Sequence, residues 1–144
     1  MNKTIKLLAL LGLVATLTTG CAVNRATGSV DPSTNLAALK TMYVKKIPDD
    51  DNTHALIADK LRSKGITVTT GVEPAPGGVD AVVTYIDKWM WDITMYMLEL
   101  TITFRDPKTD FPMATGNSFH TSLTRLSPKE MVDEVIDNIY KGAK

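Results

Sequence analysis

From Met95 to Arg105 the chain alternates almost without error. Tyr96, Leu98, Leu100, Ile102 and Phe104 fall on one face of an extended segment, and Met95, Met97, Glu99, Thr101 and Thr103 on the other. A period of two over five repeats predicts a half-buried antiparallel strand. The segment before it, Asp80 to Trp91, is a second strand. A tight hairpin around Asp92-Ile93 then pairs Trp91 with Thr94 and Tyr85 with Leu100. That register puts Ala81, Val83, Tyr85 and Trp89 on the same face as the apolar set, so turn and pattern agree.

Elsewhere the period changes to that of a helix. Ala55, Ile57, Ala58 and Leu61 form a stripe between Thr53 and Lys64, with Lys60, Arg62 and Lys64 in the last turn and Gly65 just past it. Asp49, Asp50 and Asp51 precede this helix and suit its N-terminus. Their spacing lacks the glycine and the distal glutamate of a calcium loop. A second helix opens at Ser127-Pro128-Lys129-Glu130, a capping box with proline at the first helical position. Its stripe is Met131, Val132, Val135, Ile136 and Ile139.

Three further strands complete the chain, at Met42 to Ile47, Ile66 to Thr70 and Met113 to Leu123, the last more polar and placed at an edge. Strand, helix and strand between residues 42 and 70 form a βαβ unit, which requires a parallel pair. The expected fold is α/β (α+β), a five-stranded mixed sheet with two helices on one face, in the order β-α-β-β-β-β-α. This order resembles small α/β domains of envelope lipoproteins, such as the amino-terminal domain of TolB and the lipoprotein activators of penicillin-binding proteins. The resemblance covers Met42 to Tyr140 and concerns the fold alone.

Ala22 to Leu36 has no apolar period and is rich in Asn, Thr, Ser and Gly, the composition of a tether. Upstream of it, Lys3 and Lys6 precede an apolar run ending at Leu17, too short to span a membrane and followed by small residues, as in a secretory signal. Leu17-Thr18-Thr19-Gly20-Cys21 resembles a bacterial lipobox, with Thr18 where the pattern has an aliphatic residue. The resemblance implies removal of residues 1–20 and acylation of Cys21. Ala22 in place of Asp implies sorting to the outer membrane. The expected organisation is a signal at 1–20, a lipidated tether at 21–36 and a periplasmic domain at 37–144.

Composition narrows the function classes. Cys21 is the single cysteine, so no disulfide forms within the chain. The 16 basic and 16 acidic side chains balance, and loss of Lys3 and Lys6 with the signal tips the remainder slightly acidic. That speaks against nucleic-acid binding. His54 and His120 have no Cys, Asp or Glu at ligand spacing along the sequence, and no nucleophile motif frames any Ser. No catalytic residue, metal ligand or cofactor is expected. Asp87 falls on the core face opposite Leu98, either as a buried carboxylate or as a rim residue bonded to a neighbour.

The densest stretch outside the signal runs from Tyr85 to Met97. Trp89, Trp91, Met90, Met95 and Met97 form the candidate partner surface, with Met90 and Met95 as cross-strand neighbours and the methionines turned away from the main core. The leading expectation is a non-enzymatic accessory or assembly factor on the outer membrane, acting through an envelope protein partner. The alternative is a periplasmic Cu(I) or small-ligand binding protein using Met90, Met95 and Met97, since thioethers suit Cu(I).

Overall fold

The computed structural model describes residues 23–142. The signal sequence and Cys21 lie outside the described residues. The six strands are β1 (Asn24–Val30), β2 (Thr41–Lys45), β3 (Thr67–Gly71), β4 (Ala81–Asp92), β5 (Thr94–Arg105) and β6 (Pro112–His120). Helix α1 is Thr53–Ser63 and helix α2 is Pro128–Lys141. One mixed sheet runs in the order β1-β6-β5-β4-β2-β3. β2 pairs in parallel with β3 and β4, as the βαβ pattern requires, and the other pairs are antiparallel.

Both helices cover one face. Met42, Val44, Val68, Ala81, Val83, Leu100, Ile102, Phe104 and Ala114 point from the sheet into one core with Ile57 and Leu61 of α1 and Met131, Val135, Ile136 and Ile139 of α2. The α2 cap forms as the sequence predicts: the Ser127 hydroxyl accepts from the Glu130 N–H, and Glu130 accepts from the Ser127 N–H. Asp110 takes the left-handed conformation expected of it in the β5–β6 turn.

Two expectations are corrected. The sheet has six strands instead of five, because Asn24–Val30 in the stretch assigned to the tether forms β1. In consequence β6 is not an edge strand: β1 lies on its outer side, in unbroken register from Asn24↔His120 to Val30↔Ala114. The reason is a close approach. Gly28 and Gly116 pair across β1 and β6 beneath α2. A Cβ on Gly28 would stand 2.3 Å from the Asn138 backbone, and one on Gly116 would stand 2.8 Å from Val135 and Ile139. Glycine at both positions lets α2 settle onto the sheet.

The hairpin register is also corrected. Near its root Tyr85 pairs with Ile102 and Lys88 with Glu99. A bulge follows, and Trp89 pairs with Met97, Trp91 with Met95 and Asp92 with Thr94. Leu98 is the extra residue. A bulge places two residues of one strand opposite one of the other, so the faces of β5 exchange at this point. Met97 turns into the core and Leu98 leaves the apolar row.

Candidate functional site

The hairpin beyond the bulge projects past its neighbours. No residue of β6 pairs with β5 before Glu99, and β2 pairs with β4 only as far as Val83. The five residues expected to form one surface are divided here. Met97 is fully buried and Trp89 packs half-buried against the core. Met90, Trp91 and Met95 are exposed, at 45%, 68% and 56%. Trp91 and Met95 are cross-strand partners on one face, whereas Met90 pairs with Tyr96 and so projects from the opposite face. The three thioethers therefore do not converge.

Ile93 forms the turn between them. It is 85% exposed and has φ of 62°. A β-branched residue in the left-handed region is an outlier, costing of order 1–3 kcal/mol. Sequence reading placed the turn but gave no sign that its central residue would be held this way.

A turn after β6 clamps this projection. The Arg125 guanidinium donates to the Thr94 hydroxyl (2.9 Å), the Ser122 carbonyl (3.0 Å) and the Ser122 hydroxyl (2.9 Å). It lies 4.7 Å from the centre of the Tyr96 ring, a cation–π contact. The Ser122 hydroxyl in turn donates to the Asp92 carboxylate. Leu123 of the same turn is exposed. The Asp92 and Thr94 side chains are thus tied to the protein, while Trp91, Ile93 and Met95 are left outside.

His120 holds that turn to α2. It is buried, with Nδ1 2.9 Å from the Thr124 carbonyl and Nε2 2.8 Å from the Glu134 carboxylate. The Ser118 hydroxyl donates to the same Glu134 oxygen. Sequence spacing places His120 on a polar strand face and misses this partner, which arrives from a helix fourteen residues away. His54 behaves as a capping neighbour: its Nδ1 meets Asp50, which also accepts from the Thr53 N–H at 2.8 Å. Burial alone would raise the Asp50 carboxyl, but these contacts outweigh it and hold it below the usual carboxylate range. Asp87 is half-buried on the core side and accepts a hydrogen bond from the Thr53 hydroxyl at 2.8 Å. It joins β4 to the start of α1, the rim role among its two expectations. Beside it, burial first and then the nearby Asp50 and Asp87 charges push the Tyr85 hydroxyl well above its ordinary value.

Among the described residues no group of three or more His, Cys, Asp or Glu side chains converges as a metal site, and no helix is long and apolar enough to cross a membrane.

No protein-family model matches the sequence, and no curated protein matches it. Solved structures do share the fold. The chain is similar to PelC from Paraburkholderia phytofirmans, solved as a dodecamer, with a TM-score of 0.59, 14% identity, and coverage of 81% of this chain and 97% of PelC. A variant PelC dodecamer from the same organism gives a TM-score of 0.58. TolB from Acinetobacter baumannii matches with a TM-score of 0.51 at 14% identity, over 84% of this chain and 31% of TolB. The likeness to a part of TolB agrees with the fold resemblance drawn from the order of elements.

Proposed function

We propose that this chain is an envelope lipoprotein, acylated at Cys21 and held on the periplasmic side of the outer membrane, that works as a non-enzymatic accessory or assembly factor through protein–protein contacts. The observation that carries the protein contact is the outer edge of β1, unpaired among the described residues. This strand is the outermost of the sheet, seven residues long, without proline, bulge or lysine. Natural edge strands use such devices to prevent pairing with another chain. The one charge, Arg25, lies 5.8 Å from the centre of the Phe119 ring. The Asp31 N–H and the Val23 carbonyl bond inward to Met113 and Thr121. By alternation, Asn24, Ala26, Gly28 and Val30 direct their backbone groups outward. An incoming strand would find a ready ladder there. That a protein of the same fold, PelC, is a dodecamer supports reading this sheet as a unit of assembly. Copies of this chain are therefore among the partners to test.

Photo-crosslinking from the exposed position 27 in intact envelopes tests the edge. The parent is expected to give a discrete crosslinked species. Ala26→Pro removes one outward N–H and leaves the ladder to β6 intact. It should abolish that species at an unchanged melting temperature. A crosslink that survives Ala26→Pro would sink the assignment. Labelling with radioactive fatty acid tests the anchor separately, since equal labelling of parent and Cys21→Ser would refute it.

A further inference from the structure

The hairpin tip and the start of the described chain meet at one short turn. The Val23 carbonyl accepts from the Thr121 N–H, the Thr121 hydroxyl and the Thr124 hydroxyl, each at 3.2 Å. From the same turn Ser122 and Arg125 grip Asp92 and Thr94. Cys21 stands two positions before Val23 in the sequence. Two extended residues reach about 7 Å at most. An acyl group on Cys21 would therefore enter a bilayer within that reach of Val23, which bonds the same turn that grips the tip.

The tip suits such surroundings on both of its faces. Trp91 and Met95 project from one face, Met90 from the other, and Ile93 from the turn itself. A protein docking on the hairpin would cover one face, whereas a bilayer surrounds it. Asp92 and Thr94 already have partners in Ser122 and Arg125, so a shallow immersion at the lipid–water boundary would not strand these two side chains. Trp and long apolar side chains are the residues that settle at the lipid–water boundary. The projection, Trp89 to Met97, is too short to cross, because a spanning strand needs about 9–11 residues on each side of a hairpin.

We infer that the β4–β5 tip is a second membrane contact, dipping into the leaflet that holds the Cys21 acyl chains. The inference rests on the reading of Cys21 as the acylated residue. Its effect is on orientation. Several acyl chains already hold the protein durably, but a point tether leaves the domain free to rotate. A tip immersed beside the tether stands the strands on the membrane and turns the β1 edge sideways, toward neighbours on the same surface.

The test uses the full lipidated chain in vesicles of phosphatidylethanolamine and phosphatidylglycerol with brominated acyl chains. Tryptophan emission should be quenched relative to unbrominated vesicles. Trp91→Phe should remove most of that quenching, leaving the half-buried Trp89. Ile93→Asp combined with Met95→Asp should also remove it with Trp91 still present, while flotation with the vesicles persists through Cys21. A parent that floats but shows no quenching overturns the inference, as does a Trp91-dependent crosslink to an envelope protein in place of quenching. Absent fatty-acid labelling would instead defeat the anchor. Quenching of the unlipidated Cys21→Ser chain by excess brominated vesicles would then support the tip alone, and its absence would overturn it.

Discussion

Met97 and Met95 stand two residues apart on one strand, and one is fully buried while the other is 56% exposed. They share a face of the hairpin, through the pairs Trp89–Met97 and Trp91–Met95. What separates them is where the core ends. Below the bulge at Leu98, β4 and β5 lie under α1 and α2 and carry Val83, Leu100, Ile102 and Phe104 into the core. Above it Met97 is the last β5 side chain to reach that core, and beyond Met97 Trp91 and Met95 meet solvent. Two adjacent regions of similar composition are thus placed differently: the root is built into the core and the tip is left outside it.

The comparison breaks first at the root. Phe104→Ala removes a buried ring and should cost about 3–5 kcal/mol in urea denaturation. A cost under 1 kcal/mol would mean that the root is not the core described above. The sharper version uses the methionines. Met97→Ala should cost about 2–5 kcal/mol, and Met95→Ala or Trp91→Ala no more than about 0.5 kcal/mol. Equal effects of Met97→Ala and Met95→Ala would remove the bulge from the account and restore the simple alternating register.

Acid offers a separate handle on the body. The folded-state carboxyl of Asp50 lies below its ordinary value. Its contribution is therefore complete at neutral pH, above the unfolded value of about 4, and is lost as pH falls through the folded value. Asp50→Ala should lower stability at neutral pH by about 1 kcal/mol through the lost hydrogen bonds from the Thr53 and His54 N–H groups. It should also flatten the fall in melting temperature below pH ~5 relative to the parent. A parallel fall in parent and variant would remove Asp50 from the acid response. Its neighbour Thr53 bonds Asp87 on the root of β4, so this effect belongs to the packed region.

Much of this division was legible in the residues, and the exceptions have physical causes. Both helices declared themselves because capping and a 3.6 period act locally: Ser127 with Glu130, and the Met131–Ile139 stripe. The strands β2 to β6 were marked by alternation or by β-branched runs. β1 was hidden because an edge strand buries so little, and its packing signal is Gly28 opposite Gly116. A glycine pair looks like loop composition until α2 is placed above it. With β1 unseen, β6 took the edge that belongs to β1. The bulge was hidden because one unpaired residue leaves the alternation of Tyr96, Leu98 and Leu100 unbroken in the sequence while exchanging faces in space. That exchange decided the candidate surface: it drew Met97 inward, separated Met90 from Met95, and left Trp91 and Met95 together outside. The His120–Glu134 contact joins a strand to a helix and has no local signature.

The last expected effect lies at the exposed turn of the tip. Ile93 holds φ of 62° with 85% of its surface exposed. Glycine adopts that conformation without a Cβ penalty, though it loses more entropy on folding. Relief of about 1–3 kcal/mol of strain against that cost leaves Ile93→Gly stabilised by about 1 kcal/mol, measurable as a higher urea midpoint at constant m-value. The same substitution should weaken the lipid quenching of Trp91, since the apolar point of the turn is gone. A destabilised Ile93→Gly would show that Ile93 packs against the protein and serves the fold. A stabilised variant with weaker quenching would show the reverse: the chain keeps a strained, exposed isoleucine at the turn because the tip answers to a contact outside the protein, and the cost to folding is small enough for the packed root to offset.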